Sequence, residues 1–317
     1  MRGRIAIAWL LAIVGCGDDG GDATPVLLPG SPAVTRAFLH GYAIGGDSAF
    51  GLSRLLERRG DAWTPIADVS PFGARAQLFS GDAIVAVSET TLYRQDGASW
   101  TALAIPTATT AITIVGADGG AMIGAALDPD GGALVTWMPP AASWVEVPGS
   151  RPIGIGARAF LVEHQRVTWS DPARGIVRVE AGAQATIVDC TADEFGACVT
   201  PLVPLAYGAD DALSILACAS DAPPFAAFRV LGDQHTPIGL PANLPACAGV
   251  RSAGGTSVLA TLPGDGGEGI LLELGPTAKA WRRVARASPG LTYVPAGDVI
   301  DAYGDGLAAR GIYELRP

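Results

Sequence analysis

The chain places apolar and polar residues in short alternating runs, separated by residues such as Gly, Pro and Asp. Residues 52–58, 91–95 and 133–138 alternate in this way, and runs rich in small residues precede them, as at 82–88 and 120–127. Alternation with a period of two over four to eight residues is typical of half-buried β-strands, and the intervening residues are typical of tight turns. The pattern therefore predicts an all-β protein made of many short strands.

A weak repeat shows how these strands are grouped. Residues 61–66 read DAWTPI, and the tryptophan returns at a similar place in 98–103, 142–147 and 279–284, while 234–239 is a weaker copy without it. Each copy follows two strands in succession, and a further strand precedes those two. The repeated unit therefore has four strands.

The turns before the second strand of each unit give the length of the repeat. They are marked by Gly81, Gly120, Gly156, Asp210, Gly255 and Gly297, with spacings of 39, 36, 54, 45 and 42 residues. Repeats of about 40 residues with four strands each are typical of β-propellers. Because His40 marks one more unit, the sequence predicts a seven-bladed β-propeller with four-stranded antiparallel blades.

The last unit has only three predicted strands, at 291–295, 298–303 and 311–315. Residues 22–27 align with 61–66 and differ mainly in lacking the tryptophan. We therefore expect the N-terminal strand to complete the C-terminal blade and close the ring, which leaves no long sheet edge unpaired.

The stretch from Asp96 to Trp100 resembles the Asp-box of sialidase-like propellers, and one tryptophan per blade resembles kelch repeats. The Asp-box spacing is one residue short at Trp100, and its Asp and Gly are missing before Trp144 and Trp281. Tryptophan buries a large apolar surface. We therefore expect Trp63, Trp100, Trp144 and Trp281 to pack between neighbouring blades.

The first sixteen residues form a leader. Arg2 and Arg4 precede an apolar run at 5–14, which is followed by Gly15 and Cys16. Ten apolar residues span only about half of a bilayer's hydrocarbon core, so the run is typical of a signal peptide and not of a membrane helix.

Residues 13–16, Ile-Val-Gly-Cys, resemble the lipobox of bacterial lipoproteins. The resemblance implies cleavage before Cys16, diacylglycerol on its thiol and acylation of its amino group. The predicted domains are a signal peptide at 1–15, a tether at 16–21 and one β-propeller at 22–317. We expect an anchored protein of a Gram-negative cell envelope, and Gly17 after the cysteine favours the outer membrane.

Composition agrees with a folded domain and limits its partners. The chain is 49% hydrophobic and 16% charged, so it can bury a substantial core. Its formal net charge of −10 argues against binding nucleic acid or anionic lipid headgroups through the folded domain.

Four cysteines follow the leader, and an even number in an exported protein predicts two disulfides. One pairing joins Cys190 to Cys198 across the long spacing of 54 residues and Cys218 to Cys247 between neighbouring blades. The alternative joins Cys198 to Cys218 and Cys190 to Cys247.

No motif assigns a catalytic residue. His40, His164 and His235 fall in different blades without a metal-binding spacing, and neither a nucleophile elbow nor a phosphate-binding loop occurs.

Acidic residues recur in the turns between second and third strands: Asp47, Glu89, Asp128, Asp130, Asp171, Asp221, Asp265, Glu268 and Asp305. Asp with Gly or Pro is ordinary turn chemistry. Alternatively, carboxylates gathered on one face could bind calcium, with Asp128, Asp130, Asp265 and Glu268 as candidate ligands. We expect no other cofactor.

Three functions fit the sequence. The first is a lipid-anchored, non-catalytic binding or scaffold module whose partner is a protein or a glycan. The second is a carbohydrate-active enzyme, a glycosidase or lyase, that uses the central pocket. The third is a calcium-dependent assembly module. Propellers host both binding and catalysis, so the fold does not choose between them.

Overall fold

The computed structural model describes residues 23–39, 41–47, 52–68, 76–78, 84–87, 92–96, 99–103, 111–118, 121–128, 131–138, 143–154, 157–163, 165–189, 202–218, 223–244, 250–252, 258–262, 269–275, 278–288, 290–296, 299–304 and 311–316. These residues form strands and turns, and none of them is helical.

The strands pair into seven antiparallel sheets of four, which are the blades of the predicted propeller. Strand β1 (Val26–Leu27) belongs to the last blade. Blade 1 contains β2 (Val34–Leu39), β3 (Tyr42–Asp47), β4 (Leu52–Arg59) and β5 (Ala62–Asp68). Blade 2 contains β6 (Ala76–Leu78), β7 (Ile84–Val87), β8 (Leu92–Asp96) and β9 (Ser99–Leu103). Blade 3 contains β10 (Ala111–Asp118), β11 (Ala121–Asp128), β12 (Gly131–Trp137) and β13 (Val145–Glu146).

The remaining blades follow the same order. Blade 4 contains β14 (Arg158–Glu163), β15 (Arg166–Asp171), β16 (Gly175–Glu180) and β17 (Ala183–Asp189). Blade 5 contains β18 (Leu202–Tyr207), β19 (Leu213–Cys218), β20 (Pro224–Leu231) and β21 (Gln234–Pro237). Blade 6 contains β22 (Val250–Ser252), β23 (Val258–Leu262), β24 (Gly269–Leu274) and β25 (Arg282–Ala287). Blade 7 contains β26 (Thr292–Ala296), β27 (Val299–Tyr303), β28 (Tyr313–Leu315) and β1.

Blade 7 takes its outermost strand from the N-terminal part of the chain. β1 pairs antiparallel with β28, so that Val26 lies opposite Glu314 and Leu27 lies opposite Tyr313. The predicted closure of the ring by the N-terminal strand is confirmed.

Two further backbone contacts hold this segment in place. The amide of Leu28 donates a hydrogen bond of 2.8 Å to the carbonyl oxygen of Ile312. Ala23 forms an isolated parallel bridge with Ala285 in β25, the outermost strand of blade 6. The N-terminal segment therefore contacts two neighbouring blades.

One marker of the repeat, Gly156, is wrong, because it precedes the first strand of blade 4 and not the second. Arg158, two residues after Gly156, begins the first strand of blade 4, and the turn before the second strand contains Gln165. With Gln165 as the marker, the spacings from Gly120 and to Asp210 are both 45 residues. The insertion that the spacing of 54 suggested between blades 4 and 5 is therefore absent.

A separate apolar cluster lies between each pair of neighbouring blades. Six clusters join blades 1 to 7 in succession. A seventh joins blade 7 to blade 1 and contains the buried residues Val34, Ala43 and Ile312. Because burial of apolar surface is the main favourable term in folding, the ring is stabilised by seven interfaces and not by one central core.

The four repeat tryptophans pack at these interfaces, as expected. Trp63 of blade 1 packs against the cluster shared with blade 7, and Trp100 of blade 2 packs against the one shared with blade 1. Trp144 of blade 3 packs against the cluster shared with blade 2, and Trp281 of blade 6 lies in the one shared with blade 5. Each tryptophan therefore connects its blade to the preceding one.

Candidate functional site

The ring offers a central axis and two faces. The first strands of the blades lie nearest the axis, where β10 contacts β14 and β14 contacts β18. Because successive strands are antiparallel, the turns between second and third strands share a face with the links between blades. We call this the link face, and the other side the opposite face.

Asp171 is the acidic residue of the link face whose contacts are most fully described. It ends β15, and its side chain is 0% exposed. Its Oδ1 accepts hydrogen bonds from the amides of Ala173 (3.0 Å) and Arg174 (3.1 Å), and its Oδ2 accepts one from the amide of Gly154 (3.1 Å). The guanidinium of Arg174 adds bonds of 2.7 and 3.2 Å to Oδ2.

These contacts determine the ionisation of Asp171. Burial alone would raise its pKa, but the hydrogen bonds from Arg174 and from the amides of Ala173 and Gly154 outweigh burial and lower it. Both oxygens accept donors from the protein itself. Asp171 therefore stabilises its turn, as the turn-chemistry interpretation predicts.

Arg174 extends this network to the link between blades 3 and 4. Its guanidinium donates hydrogen bonds of 2.5 Å to the Pro152 carbonyl oxygen and to Gln184 Oε1. Gln184 in turn donates to the Ser150 carbonyl oxygen over 3.1 Å. The buried carboxylate of Asp171 thus fixes the position of the link through Arg174.

The candidate calcium ligands are not brought together in the part of the chain that the structure describes. Asp128 ends β11, where its backbone lies opposite Gly131. Asp130, Asp265 and Glu268 lie outside the described residues. Among the described residues, no group of three or more His, Cys, Asp or Glu side chains could hold a metal ion. The calcium site stays a prediction.

In the first strands of the blades, acidic residues lie at the last position of the strand, and basic residues lie before it. The basic residues Arg36, Arg158 and Arg251 lie in the first strands of blades 1, 4 and 6. The acidic residues of the described first strands, Asp118 and Glu163, are the last residues of β10 and β14. A first strand runs from the link face to the opposite face, so these acidic residues lie at the opposite face.

A buried polar network joins blades 4 and 5 at the opposite face. Glu163 Oε2 accepts a hydrogen bond of 3.0 Å from the amide of Tyr207, which ends β18. The hydroxyl groups of Thr168 and Tyr207 are hydrogen-bonded at 2.8 Å. Burial raises the pKa of Tyr207, and the bond to Thr168 opposes that rise only in part. Tyr207 is therefore neutral at physiological pH.

Arg166 covers the outside of this network. Its guanidinium lies 5.1 Å from the centre of the Tyr207 ring and donates 2.8 Å hydrogen bonds to Asp211 Oδ1 and Glu180 Oε1. These bonds, the one from Asp211 foremost, raise the pKa of Arg166 above its already high usual value. The charge of Arg166 is thus used to join blades 4 and 5.

The sequence gives no signal for this network. Glu163 and Thr168 are polar positions within alternating strands, where such residues normally face solvent. Their partner Tyr207 lies about 40 residues away, and only the packing of blade 4 on blade 5 brings them together.

The cysteines are described in part. Cys218 ends β19 at the link face, and it is buried and disulfide-bonded. Cys190, Cys198 and Cys247 lie outside the described residues, so the pairing stays a prediction. The corrected spacing of blade 4 removes the argument from an insertion that favoured pairing Cys190 with Cys198.

The leader, with Cys16, also lies outside the described residues. In the part of the chain that is described, no helix has the length and apolar character needed to span a membrane.

Three solved structures illustrate the likeness to known propellers. The structure of YCF48 bound to D1 peptide has a TM-score of 0.50 and 14% identity, and the match covers 94% of this chain and 97% of that one. Oligogalacturonate lyase from Vibrio parahaemolyticus has a TM-score of 0.54 and 10% identity, with 93% and 91% covered. Puromycin hydrolase has a TM-score of 0.55 and 14% identity, with 90% of this chain but only 52% of that chain covered.

At these identities the likeness supports the fold alone. No protein-family model matches the chain, and no curated protein matches it. The three structures include a peptide complex, a lyase and a hydrolase, so the function has to be argued from the residues of this chain.

Proposed function

We propose that this chain is a lipid-anchored β-propeller of the Gram-negative cell envelope that binds a protein or glycan partner as a recognition or scaffold module. The observation that carries the proposal is the attachment of the N-terminal segment. Ala23 contacts blade 6 and β1 completes blade 7. Six residues separate Ala23 from Cys16. The seven steps along the chain from Cys16 to Ala23, at about 3.5 Å each, reach no more than ~25 Å.

This attachment would orient the ring at a membrane. A lipid on Cys16 holds the outer edge of blades 6 and 7 close to the bilayer. In a ring of seven, blades 3 and 4 lie opposite blade 7 and point away from the membrane. The axis and both faces then stay accessible from the side, which suits the binding of a partner.

The acidic residues with described contacts support binding over catalysis. A glycosidase needs a carboxylic acid whose pKa is raised so that it can donate a proton. Asp171 instead has a lowered pKa and binds backbone amides. Glu163 accepts a hydrogen bond from a backbone amide within an interface between blades.

The share of each solved structure that the match covers also supports binding over catalysis. YCF48, solved with a bound peptide, is matched over nearly its whole length. Puromycin hydrolase is matched over about half, so its remaining half has no counterpart in the match.

A second candidate is an enzyme that acts on an acidic glycan. Two observations favour it: oligogalacturonate lyase is matched over 91% of its length, and Arg36, Arg158 and Arg251 lie in first strands near the axis. The net charge of −10 opposes it at long range, because a polyanion is repelled as it approaches, although the local charge decides the interaction at contact.

Crosslinking followed by reconstitution tests the proposal. Native membranes that contain the full-length chain are crosslinked, the partner is identified, and its binding to the purified chain is measured. We expect a saturable complex and no turnover of oligogalacturonate. Unsaturated sugar product, absent from an Arg158→Gln control, would contradict the proposal and support the lyase. A captured protein that does not bind the purified chain would also count against it.

A further inference from the structure

Four basic residues of this acidic chain lie close together in the sequence, on and just before one outer strand. Between Glu273 and Asp298 there are four basic residues and no acidic one, although the formal net charge of the chain is −10. Three of the four lie in β25, the outermost strand of blade 6. We call the four residues the basic edge: Lys279, Arg282, Arg283 and Arg286.

The basic edge is directed outward. Lys279, Arg282 and Arg286 are exposed, and the side chain of Arg282 is 64% exposed. Its partner Glu273, at 2.5 Å, is only 13% exposed, so the cation covers the carboxylate. The intervening Ala285 is buried. Three cationic side chains are therefore exposed at the outer edge of blade 6.

The N-terminal segment, which contacts the basic strand β25 through Ala23, carries two exposed apolar residues in β1. Val26 is 66% exposed and Leu27 is 44% exposed, both in β1. The bridge between Ala23 and Ala285 places the N-terminal segment, which leads from Cys16 into β1, directly against β25. Exposed apolar residues next to cationic ones are the combination found in surfaces that bind the membrane interface.

We propose that this edge of blades 6 and 7 docks on the anionic phospholipid headgroups of the membrane that holds the lipid anchor. The proposal rests on the proposed anchoring for its location. Electrostatic attraction decays within a Debye length of about 8–10 Å, so the local charge of the edge and not the net charge of the chain decides the interaction. The headgroup phosphates bind the guanidinium and ammonium groups, while Val26 and Leu27 enter the apolar boundary.

The tether contains the acidic residues that would oppose this contact. Asp18, Asp19 and Asp22 lie in sequence between Cys16 and the contact at Ala23. Their carboxylates are an alternative partner for the cations of the basic edge. The test must therefore distinguish binding of the tether from binding of the membrane.

Vesicle binding without the lipid separates docking from anchoring. The chain from residue 17 onward contains every described strand, and its sedimentation with phosphatidylglycerol-containing vesicles is compared with phosphatidylcholine vesicles. We expect binding to the anionic vesicles only, weakened by salt. Lys279→Glu/Arg286→Glu should weaken it by at least about 25-fold, since each basic residue contributes about fivefold. Arg151→Glu, which reverses an exposed arginine in the link after blade 3 on the other side of the ring, should have little effect, whereas Lys279→Glu alone should weaken binding about fivefold.

Three results would overturn the proposal. Equal binding to both vesicle types would show that charge has no role. Equal loss in the basic-edge variant and in the control, with both variants folded by circular dichroism, would show that the edge has no special role. Binding that appears only after Asp18, Asp19 and Asp22 are changed to Asn would show that the tether occupies the edge. None of these results bears on lipidation of Cys16.

Discussion

A single buried carboxylate can hold the connection between two blades, and Asp171 is the clearest case. It accepts bonds from its own turn, from Arg174 and from Gly154 in the link that follows blade 3. The sequence predicted an acidic turn residue here, because Asp is common in turns. It could not predict the bond to Gly154, which depends on how the link folds back onto blade 4.

Asp171→Asn, compared with the wild type at neutral and acid pH, tests whether the Asp171 carboxylate stabilises the fold. The folded pKa is lowered below its unfolded value of about 3.9, so the stabilisation is present above that value and is lost as the pH falls through the folded pKa. We expect the variant to be less stable at pH 7 by about 1–3 kcal/mol and to lose less stability on acidification. Urea unfolding at pH 7 and near pH 3 measures the difference in stability at pH 7 and the loss of stability on acidification.

The exposed Asp233, in the turn between β20 and β21, offers a matched control as Asp233→Asn. Its stability should follow the wild-type pH dependence. A pH dependence of Asp171→Asn parallel to that of the wild type would contradict the structural role of the carboxylate.

The hydrogen bond between Thr168 and Tyr207 is a second residue-scale prediction. Tyr207→Phe leaves a buried hydroxyl on Thr168 without this partner, so we expect a loss of about 1–2 kcal/mol in the free energy of unfolding. Replacing both partners, as Thr168→Val/Tyr207→Phe, should cost less than the sum of the single changes. Additive costs in chemical denaturation would mean that the two hydroxyls are not coupled.

The strands themselves were largely predictable, and blade 4 shows where the prediction failed. The third strands predicted at 52–58 and 91–95 agree with β4 and β8. In blade 4 the second strand was missed because it lacks the small residues that mark the others: β15 contains Trp169, which is fully buried. Alternation identifies a strand, but it does not say which place the strand takes in a blade.

The closing strand also differs from expectation in how it contributes. A strand that completes a sheet usually buries apolar side chains, but Val26 and Leu27 of β1 are exposed. The buried contacts come instead from Leu28, packed against the cluster of blades 7 and 1, and from Ala23, packed against the cluster of blades 6 and 7.

Deleting residues 24–29 should therefore destabilise the ring mainly through the loss of Leu28 and of the pairing with β28. We expect Leu28→Ala alone to cost about 1–3 kcal/mol, because the residue is only partly buried. Val26→Ser should change stability by no more than about 0.5 kcal/mol. Thermal melting compares the deletion variant with Leu28→Ala and Val26→Ser. A deletion variant that melts with the full-length chain would contradict closure through this strand.

On the scale of the whole molecule, the N-terminal segment that closes the ring also follows directly on the predicted leader in the sequence. Its contacts with blades 6 and 7 determine which edge of the propeller would face the proposed anchor. The repeat could be predicted from the sequence, and the leader stays a prediction. The contact between Ala23 and the basic strand β25 could not be predicted, because Ala23 and Ala285 are 262 residues apart in the sequence.

The most direct test of the proposed function is the mass of the N-terminal peptide from protein purified out of native membranes. We expect a peptide that begins at Cys16, with diacylglycerol on the thiol and an acyl chain on the amino group. The Cys16→Ala variant should lack this peptide and should occur as an uncleaved or soluble form. An unmodified Cys16, with wild-type protein in a detergent-free soluble fraction, would contradict the lipid anchor and the orientation that depends on it.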